Sequence, residues 1–218
     1  SANGGQISEQ SLQADSAALI SQFTTAGPPA NFAVPLAGPE QEGPVGVTIA
    51  GEVPNYQPVT DAMLQNPNPA DWLMLRGNQK AWSYSALDQI NPDNIKSLSL
   101  QWVWALGSDG ANQLSPLVYD GIMYIFNPGN LIQALDAASG ELIWEHSLGG
   151  RSGNMRGIAI YEDKLIVNTP DAHIVALSPR NGELIWSTLI GEGFGNSSGP
   201  LVADGKVFTG MGNCLRFR

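Results

Sequence analysis

The sequence predicts an all-β fold: an incomplete β-propeller of roughly three four-stranded blades with an extended segment before it. Two observations predict it. A tryptophan recurs every 42 residues, at Trp102, Trp144 and Trp186. Within each repeat, short apolar runs alternate with turn residues, and four strands in about 40 to 50 residues are typical of a propeller blade. A helical repeat of this length would need apolar residues about 3.6 positions apart, which these runs lack.

Residues 1–58 differ in composition from the rest of the chain. They are rich in Gly, Pro, Gln and Ser, and the first Lys or Arg of the chain is Arg76. Apart from a helix-like patch at Ser11–Phe23, the prolines interrupt any regular element. We therefore predict an extended Gly/Pro-rich arm over residues 1–58, lying on another surface, and a partial propeller over residues 59–218. A short helix is expected at Val59–Gln65, before the prolines of NPNPADW.

One complete repeat contains the strand pattern of a blade. Its predicted strands are Ser115–Tyr119, Ile122–Phe126, Ile132–Ala137 and Glu141–Ser147. The first two are joined at Asp120-Gly121, a pair that tolerates the positive φ angles of a type I′ hairpin turn. Glu162-Asp163 and Asp204-Gly205 follow at the same step, so three successive repeats are expected to begin with the same hairpin.

The number of repeats is too small for a closed ring. The stretch Leu98–Arg218 holds roughly three units, the last of which stops after its second strand, whereas closed propellers typically have 4 to 8 blades. We therefore expect that this chain cannot close the ring alone. An open stack would expose sheet edges and apolar faces, which further blades would cover. The remaining blades are expected as partners, from the same parent chain or from a second chain.

Charge and composition exclude several classes of function. Twenty acidic residues against ten Lys and Arg give a net charge of -10 at pH 7, so no nucleic-acid partner is expected. No run approaches the roughly 18 apolar residues of a membrane span. The single cysteine, Cys214, excludes an internal disulfide and c-type haem, which needs Cys-x-x-Cys-His. His146 and His173 lack other ligands at metal-binding spacing and are predicted to be surface histidines.

Two motifs recur in successive repeats: ALDAASGELIW at Ala134–Trp144 and ALSPRNGELIW at Ala176–Trp186. Both are similar to the tryptophan-docking motif of the PQQ-dependent (quinoprotein) alcohol dehydrogenases. Residues 71–107 resemble the N-terminal signature of that family, and the resemblance extends from about Val59 to Met211. It implies an eight-bladed propeller in the periplasm. Such a propeller holds pyrroloquinoline quinone, usually with Ca²⁺, on its axis and oxidises alcohols by hydride transfer.

The resemblance assigns cofactor contacts to three segments. MRGIAIY places the cofactor-contacting arginine of the family at Arg156, and NTPDAHIVAL points to Thr169. NQLSPLVYDG has Gln113 where the family has a glutamate, so a hydrogen bond is expected there without a charge. An arginine suits its role because a charged fork of donors can hold quinone oxygens and stabilise negative charge on the reduced ring.

Other positions depart from the family pattern. GMGNCL stands in the place of a segment that contacts the cofactor, which assigns Gly212, Asn213 and Cys214 to cofactor binding. The family then has a glutamate ligand to the metal, but this chain has Leu215, which offers no oxygen to Ca²⁺. The adjacent cysteines that many members have before the arginine are absent. The catalytic aspartate of the family would fall beyond residue 218, so no catalytic residue and no metal ligand are assigned here.

Two functions are therefore considered. The first is the N-terminal portion of a PQQ-dependent dehydrogenase, periplasmic or secreted, that oxidises an alcohol, sugar or polyol. Its electrons would pass to cytochrome c or a similar acceptor, and most ligands of any Ca²⁺ would lie outside this chain. The second is a non-catalytic quinoprotein-like propeller that acts as a scaffold or binding module. Arg156 and Thr169 favour the first function, while Gln113, Leu215 and the missing cysteine pair favour the second.

Overall fold

The computed structural model describes residues 44–106, 113–127, 129–150, 156–191 and 198–210. These residues all lie in one compact unit, Ala37–Arg218. The helix-like patch predicted at Ser11–Phe23 lies outside them. Besides the α-helix α1 (Asp61–Gln65) and a 3-10 turn at Ile95–Ser97, the described elements are strands. They are β1 (Gly46–Ile49), β2 (Leu117–Tyr119), β3 (Ile122–Asn127), β4 (Leu131–Asp136), β5 (Leu142–Ser147), β6 (Ala159–Tyr161), β7 (Lys164–Asn168), β8 (His173–Leu177), β9 (Leu184–Leu189), β10 (Leu201–Ala203) and β11 (Lys206–Phe208).

The strands form three antiparallel sheets in which one pattern repeats. The first sheet contains β2 to β5 in chain order, with β1 added beside β5. The second contains β6 to β9, and β10 pairs with β11 in the third. The first two sheets even share an irregularity, a register shift after Ala134 in β4 and after Ala176 in β8. The predicted all-β fold of repeating four-stranded sheets is confirmed.

The inner strands have continuous apolar runs because both faces of each sheet are covered. Every residue of β3 except Met123 is buried, and so is every residue of β7 except Lys164. A sheet with one solvated face would instead alternate buried and exposed residues. Side chains from the first two sheets and from residues 53–74 share one core. The sheets therefore pack face to face, as the blades of a propeller do.

All three predicted hairpins form, and two of their three turns have the backbone geometry of a type I′ turn. Asp120-Gly121 and Asp204-Gly205 have positive φ at both residues, as a type I′ turn requires. In Glu162-Asp163 only Glu162 has a positive φ, of 49°. Asp163 carries a Cβ where the other two turns have glycine, and a Cβ makes the left-handed conformation costly.

Residues 44–58, which belong to the predicted arm, pack against the first two sheets. β1 pairs with β5 and is the fifth strand of its sheet. Val53 and Tyr56 are buried in the common core. The Val53 N–H donates to the carbonyl of Arg180 (2.7 Å), and the Arg180 guanidinium donates to the carbonyl of Tyr56 (3.0 Å). The division of the chain at residue 58 remains a prediction.

Helix α1 begins two residues later than predicted, at Asp61. Thr60 has extended backbone angles and its hydroxyl accepts the N–H of Met63 (3.3 Å), so it caps the helix instead of joining it. Val59 makes bridge hydrogen bonds in both directions with Glu162. Its backbone groups are therefore used by the second sheet. The helix ends before Asn66, ahead of the two prolines.

One segment of the chain, residues 59–71, binds the hairpin turns of all three sheets, and we call it the turn clasp. Each turn donates one backbone N–H to it. The pairs are Asp120 N to Asp71 Oδ1 (3.0 Å), Glu162 N to the Val59 carbonyl (2.7 Å) and Asp204 N to Asp61 Oδ1 (3.1 Å). The second oxygen of Asp61 accepts the hydroxyl of Tyr161 (2.9 Å), so one carboxylate links the second and third sheets.

The first and second sheets are joined by a tryptophan on the outer strand β5. Trp144 is fully buried, and its indole N–H donates to the carbonyl of Pro179 (3.1 Å). The hydroxyl of Tyr124 donates to the same carbonyl (3.1 Å). The ring lies directly over Gly182, where a Cβ would be only 2.5 Å from Cε3 of the indole. Only glycine leaves room for the ring at this turn.

Trp102 makes the same two contacts one repeat earlier. Its indole N–H donates to the carbonyl of Ala137 (3.1 Å), and a Cβ on Gly140 would lie 2.6 Å from its Cδ2. Both partners stand 42 residues before those of Trp144. The repeated tryptophan thus has a repeated structural contact, a flat ring stacked on the glycine turn of the following sheet.

We predict that Gly182→Ala destabilises the complete protein more than Gly121→Ala does. Both glycines have positive φ (71° and 77°), so both substitutions carry a backbone cost of about 1–2 kcal/mol. A Cβ meets the Trp144 ring only at Gly182, and nothing lies within 4 Å at Gly121. Overpacking should add about 1–3 kcal/mol at Gly182. Denaturant unfolding measures the difference, and equal losses would show that the ring contact is unimportant.

A second prediction concerns the turn clasp. Asp61→Ala removes the acceptor of the Asp204 N–H and should speed hydrogen exchange of that amide several-fold, since one such bond contributes about 0.5–1.5 kcal/mol. The Asp120 N–H, which is held by Asp71, serves as the internal control and should keep its exchange rate. If both amides, or neither, exchanged faster, Asp61 would not be a specific anchor of the third sheet.

Candidate functional site

The second and third sheets touch at the end opposite the turn clasp. Gly157 and Gly199, 42 residues apart, each precede the first strand of their sheet. A Cβ on Gly199 would lie 2.8 Å from the Cα of Gly157, and a Cβ on Gly157 would lie 3.2 Å from the Cα of Gly199. The segments that lead into successive sheets therefore converge here, as blades converge on the axis of a propeller.

Two predicted cofactor residues lie in segments that lead into a sheet at this end. Arg156 directly precedes Gly157, and its side chain is exposed. Gln113 occupies the corresponding segment of the first sheet and is exposed as well. A guanidinium and an amide can both donate hydrogen bonds to a ligand bound at this end. Their assignment to a cofactor remains a prediction.

Thr169 is also a predicted cofactor residue, but its hydroxyl hydrogen is already donated to another side chain. It follows β7 and is buried. Its Oγ1 donates to the carboxylate of Asp171 and accepts the backbone N–H of His173 (3.0 Å). Burial raises the pKa of Asp171, but the Thr169 hydroxyl and nearby His173 outweigh it and leave that pKa below its ordinary value. Thr169 can thus offer a ligand only an acceptor, beside an ionised carboxylate.

Thr169 lines a cavity of about 250 Å³ between the first and second sheets. Its polar lining includes Asn130, His146 and His173, and the Asn130 amide donates to the carbonyl of Gly149 (2.8 Å). Neither Arg156 nor Gln113 belongs to this lining. This cavity therefore does not bring Thr169 together with Arg156 and Gln113.

His146 was predicted to be a surface residue, and this is wrong. Its side chain is only 4% exposed, and Nδ1 lies 2.7 Å from the carbonyl of Gly182. A carbonyl only accepts, so Nδ1 carries the hydrogen. Burial lowers the pKa of His146, and the bond to Gly182 opposes this only in part. His146 stands two residues after the buried Trp144 in β5, and side chains two positions apart in a strand lie on the same face of the sheet. This spacing was the sequence signal from which the burial of His146 could have been predicted.

Some predicted residues lie outside the part of the chain that the structure describes. They are Gly212, Asn213 and Cys214, together with Leu215 at the position of the expected metal ligand. Within the described ranges, no three His, Cys, Asp or Glu side chains are grouped in a way that could hold a metal ion. Within the same ranges, no helix has the length and apolar character needed to cross a membrane.

Comparison with known proteins connects this geometry to a family. The family model described as PQQ, "Glucose/ethanol/alcohol dehydrogenase, beta-propeller domain", matches residues 72–198, more than half of the chain. The chain belongs to this family. The matched region contains both docked tryptophans, the Arg156-Gly157 segment and the complete first and second four-stranded repeats, so the resemblance inferred from the motifs is confirmed.

Curated relatives match over shorter stretches. The dehydrogenase subunit of the quinone alcohol dehydrogenase of Gluconobacter oxydans is 37% identical over 76 residues, 35% of this chain and 10% of that protein. The 1-butanol dehydrogenase (cytochrome c) of Thauera butanivorans is 45% identical over 58 residues, 27% of this chain and 8% of that protein. The chain thus spans about a tenth of the length of these relatives.

A solved structure extends the match to the fold. The quinohemoprotein alcohol dehydrogenase ADHIIG of Pseudomonas putida HK5 superposes with a TM-score of 0.67 at 27% identity. The alignment covers 72% of this chain and 25% of that one. The fold of this chain therefore corresponds to a part of a larger β-propeller, which confirms the predicted incomplete propeller.

His146 leads to a prediction for the pH dependence of stability. Its pKa in the folded protein is below the ordinary 6.5, so unfolded chains bind a proton more readily as the pH falls below that value. Stability associated with His146 is therefore complete above about pH 6.5 and decreases as the pH falls through the folded pKa. His146→Gln should lose less stability than wild type between about pH 7.5 and about pH 5.5. If wild type and His146→Gln lost the same stability over this range, the pKa of His146 would not be lowered by folding.

Proposed function

We propose that the chain is the N-terminal portion of a PQQ-dependent dehydrogenase that oxidises an alcohol, sugar or polyol by hydride transfer to the quinone. The observation that carries the proposal is Arg156, a cation beside the Gly157 and Gly199 contact in a chain of this family. Since the chain spans only a quarter of the solved relative, the activity would belong to the complete propeller.

The residues at the converging end fit a quinone that carries carboxylates. The exposed Arg156 offers a fixed positive charge and paired donors, and Gln113 adds amide donors without a charge. Thr169 fits less well as a direct donor, because its hydroxyl hydrogen is given to Asp171. We therefore propose Arg156 and Gln113 as donors to the cofactor and restrict Thr169 to accepting a hydrogen bond. Gly212, Asn213 and Cys214 remain proposed contacts.

When bound, the quinone supplies the two-electron acceptor for the hydride that leaves the alcohol carbon. Arg156 would orient it and stabilise negative charge on its oxygens as it is reduced. Gln113 would hold a second polar group of the cofactor and so limit its rotation. A group outside this chain would take the hydroxyl proton. Any Ca²⁺ would likewise take most of its oxygen ligands from outside this chain.

The proposed partners include the remaining blades. Trp102 docks like Trp144 of β5, yet residues 98–106 pair with no strand among the described residues. Leu98, Leu100 and Val103 in this stretch are exposed. We infer that residues 98–106 form the outer strand of a further blade whose other strands are supplied from elsewhere. Pairing there would satisfy the backbone and cover these side chains.

We further propose an alcohol as the small-molecule substrate, cytochrome c or a similar acceptor as the electron partner, and a periplasmic or secreted location. The Thauera butanivorans relative is named for an alcohol, 1-butanol, and for cytochrome c, and it therefore supports the proposed substrate and electron partner. The net charge of -10 opposes a nucleic-acid partner.

A non-catalytic, quinoprotein-like propeller is the second candidate, and a specific observation favours it. The carboxylate of Asp171 accepts the hydroxyl hydrogen of Thr169, and its negative charge would repel an anionic cofactor at that position. In this case the docked sheets would serve as a scaffold or binding module. The complete protein would then take up no quinone and show no quinone-dependent oxidation of alcohols.

We predict that Arg156→Ala in the complete protein weakens quinone binding or slows its reduction by more than tenfold, a change of about 1.4 kcal/mol per decade. Lys206→Ala is the matched control. It also removes one positive charge, but Lys206 is paired with Asp204 in the third hairpin turn, at the clasp end of the sheets. Titration with pyrroloquinoline quinone and alcohol-dependent reduction measure both effects. Unchanged binding and turnover in Arg156→Ala would overturn the proposed role of Arg156.

A further inference from the structure

Asn168 is a buried polar residue at the converging end of the sheets, and none of the family motifs assigns it a role. It is the last residue of β7, directly before Thr169, and its exposed fraction is 0%. The other buried residues of β7 are Leu165, Ile166 and Val167. An amide at the end of such an apolar strand requires an explanation, because buried polar groups are costly unless they are hydrogen-bonded.

The side-chain amide of Asn168 links two separate segments of the third sheet. Nδ2 donates to the backbone carbonyl of Ser198 (2.6 Å), just before β10, and to the hydroxyl of Thr209 (2.8 Å), just after β11. The Ser198 hydroxyl donates in turn to the carbonyl of Gly210 (3.1 Å). Because the Ser198 carbonyl only accepts, the orientation of the amide is determined. Asn168 therefore holds both ends of the third hairpin against the second sheet.

Stability alone does not account for an asparagine at this position. Its Oδ1 is buried and has no hydrogen-bond partner among the described residues, an arrangement that lowers stability. The first sheet has Phe126 at the equivalent position, 42 residues earlier, and that side chain is 1% exposed. The first sheet therefore accommodates an apolar side chain at its equivalent position. The second sheet has an amide there instead, at the point where it meets the third.

A short series of contacts leads from Asn168 to Arg156. Asn168 fixes the carbonyl of Ser198, and the next residue, Gly199, packs against the backbone of Gly157. Arg156 directly precedes Gly157. The segment that carries Arg156 thus rests on a segment whose position depends on the amide of Asn168.

We propose that Asn168 is a positioning residue that orients the Arg156 segment for the cofactor through Ser198 and Gly199. The inference rests on the proposed quinone site. A displacement of about 1 Å in a binding group can weaken its function by orders of magnitude, so a residue that never touches the ligand can still control its binding. The effect of Asn168 on the quinone is expected to operate only when Arg156 is present.

The test is a double-mutant cycle in the complete protein, with the dissociation constant of pyrroloquinoline quinone as the readout. Asn168→Ser should weaken binding by about tenfold or more in the wild-type background. It should have no further effect once Arg156→Ala is present. Asn181→Ser is the matched control, since Asn181 caps an exposed turn between β8 and β9, and it should leave quinone binding unchanged.

Thr209→Val provides a milder variant in case Asn168→Ser folds poorly. It removes one acceptor of the amide and should weaken quinone binding in the same direction by a smaller factor. Unfolding midpoints of all variants are measured in parallel. A merely structural role of Asn168 would lower the midpoint equally in both Arg156 backgrounds and leave the quinone affinity of the folded protein unchanged.

The outcomes separate this inference from the proposed function. If wild type binds quinone and Asn168→Ser binds it equally well, the positioning role is wrong and the dehydrogenase proposal stands. Additive effects of Asn168→Ser and Arg156→Ala would also overturn the positioning role. If wild type binds no quinone, the proposed function is wrong, and this inference is wrong with it.

Discussion

The contact between a tryptophan ring and the glycine turn of the next sheet is the interaction on which the rest of the structure depends. Adjacent sheets share no edge hydrogen bonds in a face-to-face stack, so each junction needs another specific contact. At the first junction the Pro179 carbonyl accepts both the Trp144 N–H and the Tyr124 hydroxyl, and Gly182 admits the ring. The His146 bond to Gly182 is part of the same junction. The tryptophan, the accepting carbonyl and the glycine turn recur at a step of 42 residues, so Trp102 and Trp144 dock in equivalent ways.

The two ends of the sheets perform different tasks. At the hairpin end, the turn clasp binds backbone N–H groups of three sheets with ordinary polar contacts. At the opposite end, the lead-in segments are so close that a Cβ on Gly199 would lie 2.8 Å from the Cα of Gly157. The chemically distinctive residues, Arg156 and Asn168, lie at this second end. The hydrogen bonds of the turn clasp thus lie at one end of the sheets, and the proposed cofactor donor Arg156 lies at the other.

Much of the fold could be predicted from the sequence because it repeats. A period of 42 and the Asp-Gly turns were enough to place the four strands β2 to β5 of the first repeat within about two residues, the usual uncertainty of element boundaries. The site was less predictable. Asn168 is 30 and 41 residues from its hydrogen-bond partners Ser198 and Thr209. The preceding repeat has Phe126 at the equivalent position, so the repeat pattern predicts an apolar residue there and gives no sign of a hydrogen-bonding role. The turn clasp was missed as well, because Asp61 and Asp71 look like ordinary solvated residues near a helix and a turn. Their partners lie up to 143 positions away.

The turn clasp has a consequence for how these repeats unfold. In a stack where each repeat contacts only its neighbours, stability is a sum of local terms, and a terminal repeat can detach without the others. Here a single stretch of 13 positions, residues 59–71, is bonded to the first, second and third hairpins at once. It couples the first sheet to the third although these are not adjacent in the repeat order. This part of the chain should therefore behave as one cooperative block rather than as a series of independently fraying units.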